Sequence, residues 1–348
     1  MSSKKIVKNK RAPQKQTKAG KVNKSEIILS KWEGRFGNRM HQYAYGASYA
    51  KKNNLQLVLP SDWEGSSLFK NQPHIVSNDG DLRLFLNQTS KQTQNFQHRS
   101  EAISSYSKKH GKNITYLNPS DKKEVWNKRK NVWYDSICCY HKCIFEGLSK
   151  NFLKNELFEF SDEIKSLDIY KRLEERQGKY DIAHLRRDDI SSIKYETNYG
   201  YSVISKKSYE DAFKKYGYDP ESIEWTTDDW TGNWGVGKPS DNDWFSRRGS
   251  WRYPEGSEVI PDVVFDWLPD FLRIYFARSV FRANSSFSWW ACLLGNQKNI
   301  YSPILTERNI YSGSKGSGQE TKFEFINNNN PHWLILKGEE CDEIIIPD

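Results

Sequence analysis

Apolar and polar positions along this chain follow two rhythms, and their order predicts the architecture. EIILSKW (26–32) is a short apolar run of β type, EGRFGN (33–38) a glycine-punctuated turn, and RMHQYAYGASYAKKNN (39–54) carries a helical period. In that helix Met40, Tyr43, Ala44, Ala47 and Ala50 recur at steps of three and four, which defines one apolar face. LQLVLP (55–60) then reads as a buried strand, so the first stretch predicts a strand–helix–strand unit with a parallel pair.

From about 61 to 165 aromatic and polar residues mix, and the pattern supports only completion of a first α/β domain with a less regular substructure near its end. The charged helical stretch 162–179 leads to the strand YDIAHL (180–185). Alternation resumes with helix 205–217, strand SIEWTT (222–227), a Gly/Trp-rich insertion at about 230–260, helix 265–279, strand VFRA (280–283), helix 286–295 and strand NIYSP (299–303). Strands alternating with helices predict a second doubly wound sheet. The expected organisation is a tail over 1–25, an N-terminal α/β domain over 26–165 and a C-terminal one over 166–348. In such sheets ligands bind beyond the carboxyl ends of the strands.

Charge changes the picture only at one end. Nine of the 53 Lys and Arg residues lie in residues 1–25, which contain no acid, and the remaining 44 match the 44 acids. The tail has too little apolar surface to offset its ordering entropy and reads as disordered, either a solubilising leader or a localisation or polyanion-binding arm. A neutral body argues against nucleic acid as the main partner. No apolar stretch has the length of a signal peptide core or a membrane span, and the expectation is a cytoplasmic or other reducing compartment. Cys138, Cys139 and Cys143 beside His141 lack the two spaced pairs of a zinc module, so the reading is free thiols and no metal or cofactor.

Four distinctive stretches follow predicted strands. In DIAHLRRDDI, His184, Arg186, Arg187, Asp188 and Asp189 stand where the sheet ends; the guanidiniums could fork onto phosphate, or pair with the acids to hold a loop. In ANSSFSWW, Ser285, Ser286 and Ser288 after Asn284 could cap a helix, or the same free N–H groups could receive a phosphate. Trp289 and Trp290 read as core. Asp228 and Asp229 in WTTDDW could accept from a ribose or base, or form a solvated turn. Gly34 and Gly37 frame Arg35 and Phe36 ahead of Asn38, where glycine lets the backbone turn sharply and approach a bound group; the pattern is not a dinucleotide GxGxxG.

Taken in order and spacing, GRFGNRMHQYAYGASYAKKNN, AHLRRDD, TTDDW and VFRANSSFSWWACLLG resemble the α-1,2-fucosyltransferase family, with its GR(L/F)GNQ, HxRRGDY, SDD and NS(S/T)FSWW motifs, over roughly residues 27–305. Arg39 stands where the family usually has Gln, Asp188 where it has Gly, Ile190 where it has Tyr, and TTDD replaces SDD. The resemblance implies a GT-B architecture, two Rossmann-like domains facing a cleft. It also implies metal-independent, inverting transfer of L-fucose from GDP-fucose to a hydroxyl of a glycan acceptor, with α-1,2 as the implied linkage.

Residue by residue, it implies Arg187 on the β-phosphate, with His184 and Arg186 supporting. Asn284, Ser285, Ser286 and Ser288 fall at phosphate or ribose, and Asp228 and Asp229 at ribose or guanine. Glu33, Asp188 and Asp189 are candidate bases, and Gly34, Arg35, Gly37 and Asn38 line the cleft. The rival readings are a transferase using another nucleotide sugar and a non-catalytic glycan-binding protein. Oligomeric state and acceptor identity are not readable from the residues.

Overall fold

The structure is a computed structural model of the 348-residue chain. It describes residues 25–29, 31–32, 34–60, 63–71, 96–117, 126–134, 147–186, 203–227, 265, 267–305, 320–321, 323–328 and 335–336. Six candidate site residues, Glu33, Arg187, Asp188, Asp189, Asp228 and Asp229, lie outside the described residues, as do residues 1–24 of the tail, the cysteine cluster and the 230–260 insertion.

The first half is built on β1 (Glu26–Leu29), β2 (Gln56–Val58), β3 (Thr115–Tyr116) and β4 (Val132–Tyr134), in the order β2-β1-β4-β3 with every pair parallel. Helix α1 (Phe36–Asn53) crosses from β1 to β2. It ends where Asn54 turns left-handed (φ 54°) and returns its N–H to the last turn, with Lys51 and Lys52 beside the negative helix end. Gly65–Leu68 forms the short α2 and Phe96–His110 forms α3. Alternate residues of β1 face opposite ways: Ile27 packs into the core with α1, whereas Ile28 joins Ile103 and Tyr106 of α3. A parallel sheet covered on both faces needs apolar residues throughout its strands, which is why EIIL and LQLVLP read as runs.

The second half repeats the plan. Its main sheet has β5 (Asp181–Leu185), β7 (Glu224–Thr227), β8 (Ser279–Phe281), β9 (Asn299–Leu305) and β11 (Phe323–Asn328) in the order β11-β9-β8-β5-β7. All pairs are parallel except β11 on β9, and β12 (Ile335–Leu336) adds to β9. A separate parallel pair joins β6 (Val203–Ile204) to β10 (Glu320–Thr321). Ile182 and Val280 face one core with α7 (Leu268–Phe276) and α8 (Ser286–Leu294); Ala183 and Phe281 face another with α6 (Lys206–Tyr216). Both sheets are therefore doubly wound in the Rossmann-like manner.

Three local expectations are corrected. The helix expected over 162–179 is two, α4 (Asp162–Ser166) and α5 (Asp168–Glu175), because Leu167 turns to extended backbone (ψ 139°) and buries its side chain. Helix α1 starts at Phe36, three residues early. It is also buried nearly all round rather than on one face, since His41, Gln42, Tyr45, Ser48 and Tyr49 are as enclosed as Met40 and Tyr43. Two neighbours are the physical reason: α8 packs on α1 from the other half of the chain, and Trp126 and Tyr134 cover Tyr45 and Tyr49 from the first half. His41 lies 5.0 and 4.9 Å, ring to ring, from Trp289 and Trp290, both inside the core as expected. One hydrophobic cluster thus runs from Ile27 through α1 to Val280, Trp290 and Ile300.

Candidate functional site

The carboxyl ends of β1 and β8 each lead into a helix, and the two helix starts touch. Gly34 takes a left-handed φ of +69°, and a Cβ there would meet the Asn38 side-chain nitrogen at 2.2 Å. With that space open, Asn38 folds back over the turn, and its Oδ1 accepts a 2.7 Å hydrogen bond from Ser286 Oγ. Gly37 completes the approach: a Cβ would stand 2.6 Å from the Phe287 nitrogen and 2.7 Å from the Ser286 carbonyl carbon. Arg35 is the N-cap of α1, its carbonyl accepting from the N–H groups of Asn38 (2.9 Å) and Arg39 (3.2 Å). Arg39 donates to the Gly34 carbonyl at 3.4 Å and pairs with Glu64 at 2.9 Å.

On the other side, Ser285 caps α8, its Oγ accepting from the Phe287 N–H at 3.3 Å. Ser288 is fully buried, and its hydroxyl donates to the carbonyls of Ala283 (3.2 Å) and Ser285 (3.3 Å), so it serves the turn itself. The Asn284 carbonyl accepts from Arg186 Nη1 at 3.5 Å, which draws the end of β5 to the start of α8.

His184 lies just behind. It is 7% exposed, its carbonyl accepts from Tyr209 Oη at 2.7 Å, and its ring is 6.0 Å from that of Phe287. Its Nδ1 is buried and has no hydrogen-bond partner among the described residues. Burial, then the charges of Arg186 and Arg282, push its pKa down to about 3, so it is neutral at any physiological pH. Arg282 is wholly buried, donates to Ser302 Oγ at 3.0 Å and is itself lowered to about 10 by burial. It still carries its charge at neutral pH. Two guanidiniums and the positive end of α8 thus share one corner, a field that favours an anion.

Sequence reasoning singled out Gly34, Arg35, Gly37, Asn38, His184, Arg186, Asn284, Ser285, Ser286 and Ser288, and these converge on this seam. It missed Arg282, hidden inside an apolar strand-like run where a lone arginine was the available signal. It also missed a stack of aromatic rings along the same seam: Trp32 on Trp63 (5.0 Å between centroids), Trp63 on Phe36 (5.9 Å), Phe36 on Trp267 (4.0 Å) and Trp267 on Phe265 (5.1 Å), all within 25° of parallel. Among the described residues no cluster of His, Cys, Asp and Glu could hold a metal ion, and no helix is long and apolar enough to cross a membrane.

No protein-family model and no curated protein matches the sequence. Among solved structures the chain is similar to the fucosyltransferase NodZ from Bradyrhizobium, at 14% identity and a TM-score of 0.44 over 89% of this chain and 100% of that one. It is similar to the NodZ alpha-1,6-fucosyltransferase soaked with GDP-fucose at 15% identity and 0.43, with the same coverage. A mutant of Arabidopsis thaliana FUT1 in complex with GDP aligns at 11% identity and 0.45, over 90% of this chain and 76% of that one. At such identities and scores the likeness establishes neither family nor activity.

Proposed function

We propose that this chain is an inverting, metal-independent glycosyltransferase that moves L-fucose from GDP-fucose to a sugar hydroxyl, forming an α-1,2 linkage. In this reading the half built on β5–β12 (residues 166–348) holds the nucleotide sugar and the half built on β1–β4 (26–165) presents the acceptor. The observation that carries the proposal is the contact of Asn38 with Ser286, which sets the glycine turn of one half against the capped, cation-flanked start of α8 in the other.

In the reaction, the acceptor oxygen bonds to the anomeric carbon of fucose while the bond from that carbon to the β-phosphate oxygen breaks. GDP leaves with the electron pair, and the hydroxyl proton passes to a base, for which Glu33, Asp188 and Asp189 are the candidates. Negative charge grows on the diphosphate, so fixed cations and helix N–H groups aimed there lower the barrier more than they stabilise the ground state. Arg187 is placed on the β-phosphate, with Arg186, neutral His184 and the Ser285–Ser286 start of α8 as further donors. Asn284 and Ser288 shape that turn, and Asp228 and Asp229 face ribose or guanine.

The test is to incubate the protein with GDP-fucose and a glycan panel, follow GDP release, and determine the product linkage by NMR. Thermal shifts with GDP, UDP and GDP-sugars run alongside, since a ligand that binds only the folded state raises the melting temperature. Stabilisation by UDP but not GDP sinks the fucose assignment, and any linkage other than α-1,2 corrects the regiochemistry alone.

A further inference from the structure

The candidate site lies at the carboxyl edge of the first sheet, and the opposite, amino edge carries charge that the site does not use. Three stretches of chain converge there. Tyr49 Oη donates to the Asn127 carbonyl at 2.6 Å and accepts from the Arg129 N–H at 3.2 Å, which ties the loop before β4 to the last turns of α1. Lys112 pairs with Glu26 at 2.6 Å, and the Glu26 N–H donates to Asn131 Oδ1 at 3.2 Å, which ties the end of α3 and the same loop to the start of β1. Lys51 and Lys52 end α1, and Lys108 and Lys109 stand in the last turn of α3. Lys128, Arg129 and Lys130 complete the edge ahead of β4. Residues 49–58, 107–117 and 126–134 contain no Asp or Glu; Glu26 answers Lys112, and Glu156 answers Lys51 at 2.7 Å. Lysines in a last helical turn complement the negative helix end, which accounts for those of α1 and α3 one by one. That reason does not extend to Lys128–Lys130, which lead into a strand. The sequence adds nine further Lys and Arg and no acid over residues 1–24, and these join the fold at this same edge, where the Ser25 carbonyl accepts from the Gln56 N–H at the head of β2 (2.9 Å).

From this we infer that the amino edge of the first sheet is a docking face for an anionic phospholipid surface, on which the protein rests with its candidate site turned away. Lys51, Lys52, Lys108, Lys109, Lys128 and Lys130 are all exposed, so the charge faces outward. A cluster of this size is what attracts a protein to an anionic leaflet, where each lysine near the surface strengthens binding roughly fivefold. The kind of base selects the partner. Nucleic acid is gripped by arginine forks and by helix amino ends laid on phosphates. This edge has a single arginine, Arg129, and presents the carbonyl ends of α1 and α3. Lysine is a hydrated point charge, and its attraction to a charged plane reaches across a Debye length of about 8 Å without any phosphate meeting those carbonyls. Helix α1 spans the sheet from one edge to the other over 18 residues, about 27 Å. A membrane held at Lys52 therefore leaves the Asn38–Ser286 contact open to solution.

The inference stands apart from the transferase reading, and its test needs no activity. The full chain is co-sedimented with phosphatidylcholine vesicles and with vesicles containing about 30% phosphatidylserine, at about 0.1 M and about 1 M KCl. Two altered proteins are run beside it: one carrying Lys108→Glu, Lys109→Glu, Lys128→Glu and Lys130→Glu together, and one lacking residues 1–24. The expected result is binding to the phosphatidylserine vesicles alone, released at the higher salt, and weakened tenfold or more by the four substitutions. The chain without residues 1–24 is expected to bind more weakly than wild type but still to require phosphatidylserine and low salt, which assigns the remaining attraction to the folded edge. Three results overturn the assignment: equal binding to both vesicle types or to neither, wild-type binding by the fourfold variant, and loss of all binding on removal of residues 1–24, which would place the attraction in the tail. Duplex DNA or single-stranded RNA that strips wild type from the vesicles at equal phosphate concentration also overturns it and makes nucleic acid the partner. The same four positions changed to Gln keep the test readable if the Glu variant does not fold.

Discussion

Ser286 donates to Asn38 across 2.7 Å, and 248 positions of sequence separate them. That one bond joins the starts of α1 and α8, the helices that follow β1 and β8 at the carboxyl edges of two different sheets. Removing either partner is predicted to cost about 1 kcal/mol, the net value of an ordinary hydrogen bond. Ser286→Ala and Asn38→Ala together are predicted to show a coupling of about 0.5 kcal/mol or more in a urea-denaturation double-mutant cycle. Strict additivity would mean that the bond contributes nothing to holding the halves together.

Gly37→Ala is predicted to be worse than either. Its methyl would collide with backbone atoms of Ser286 and Phe287 at 2.6–2.7 Å, and backbone cannot rotate away as a side chain does. Overpacking of this kind costs about 1–3 kcal/mol, and here it also pushes the start of α8 off the proposed anion site. Melting temperature and GDP affinity should fall together. Wild-type GDP affinity in the variant would place the anion elsewhere.

How much of this was legible beforehand depended on whether the cause was local. Gly34 and Gly37 stood out because a turn before a helix needs them, and Ser285 because a helix start needs a cap. Trp289 and Trp290 read as core for the same local reason. Leu167 could not be read as a helix break: nothing in DEIKSLDIYKRLEE is a breaker, and the turn exists to bury that leucine in a core built by distant strands. The all-round burial of α1, the stack from Trp32 to Phe265 and the buried charge of Arg282 depend on partners tens to hundreds of positions away, which no short window contains.

Arg187, on which the proposed chemistry leans most, gives the sharpest kinetic prediction. If its fork meets the charge growing on the departing GDP, Arg187→Ala lowers kcat by roughly 10²–10³, about 3–4 kcal/mol. Arg187→Lys restores little, because a point charge replaces two parallel bonds. Melting curves on the same preparation separate this from a loop held by an Arg–Asp pair, in which lost activity would follow lost fold. A well-folded Arg187→Ala with near-normal kcat takes the residue out of the mechanism.

Chelation supplies an independent check. With guanidiniums and a helix start assigned to the leaving diphosphate, activity after dialysis against excess EDTA is expected to match the untreated protein. Loss that Mn²⁺ restores would reassign Asp228 and Asp229 as a metal-binding pair and overturn the proposed mechanism.

Acid should weaken the protein through two histidines at the heart of this junction. Burial pushes His41 down to about 3, and burial with the Arg186 and Arg282 charges does the same to His184. In the unfolded chain both titrate near the ordinary 6.5, so between about pH 6.5 and pH 3 the unfolded state binds protons that the folded state refuses. Stability therefore rises with pH through that window, is complete above it, and is lost as pH falls. By pH 5 each histidine is predicted to remove about 2 kcal/mol relative to pH 8. Other groups also titrate there, so the informative comparison is between variants. His41→Gln cannot take up the proton and should lose distinctly less stability than wild type between pH 7 and pH 5 in urea denaturation, even if it starts less stable. Equal losses in wild type and His41→Gln would mean that the imidazole between α1 and Trp290 already reaches water.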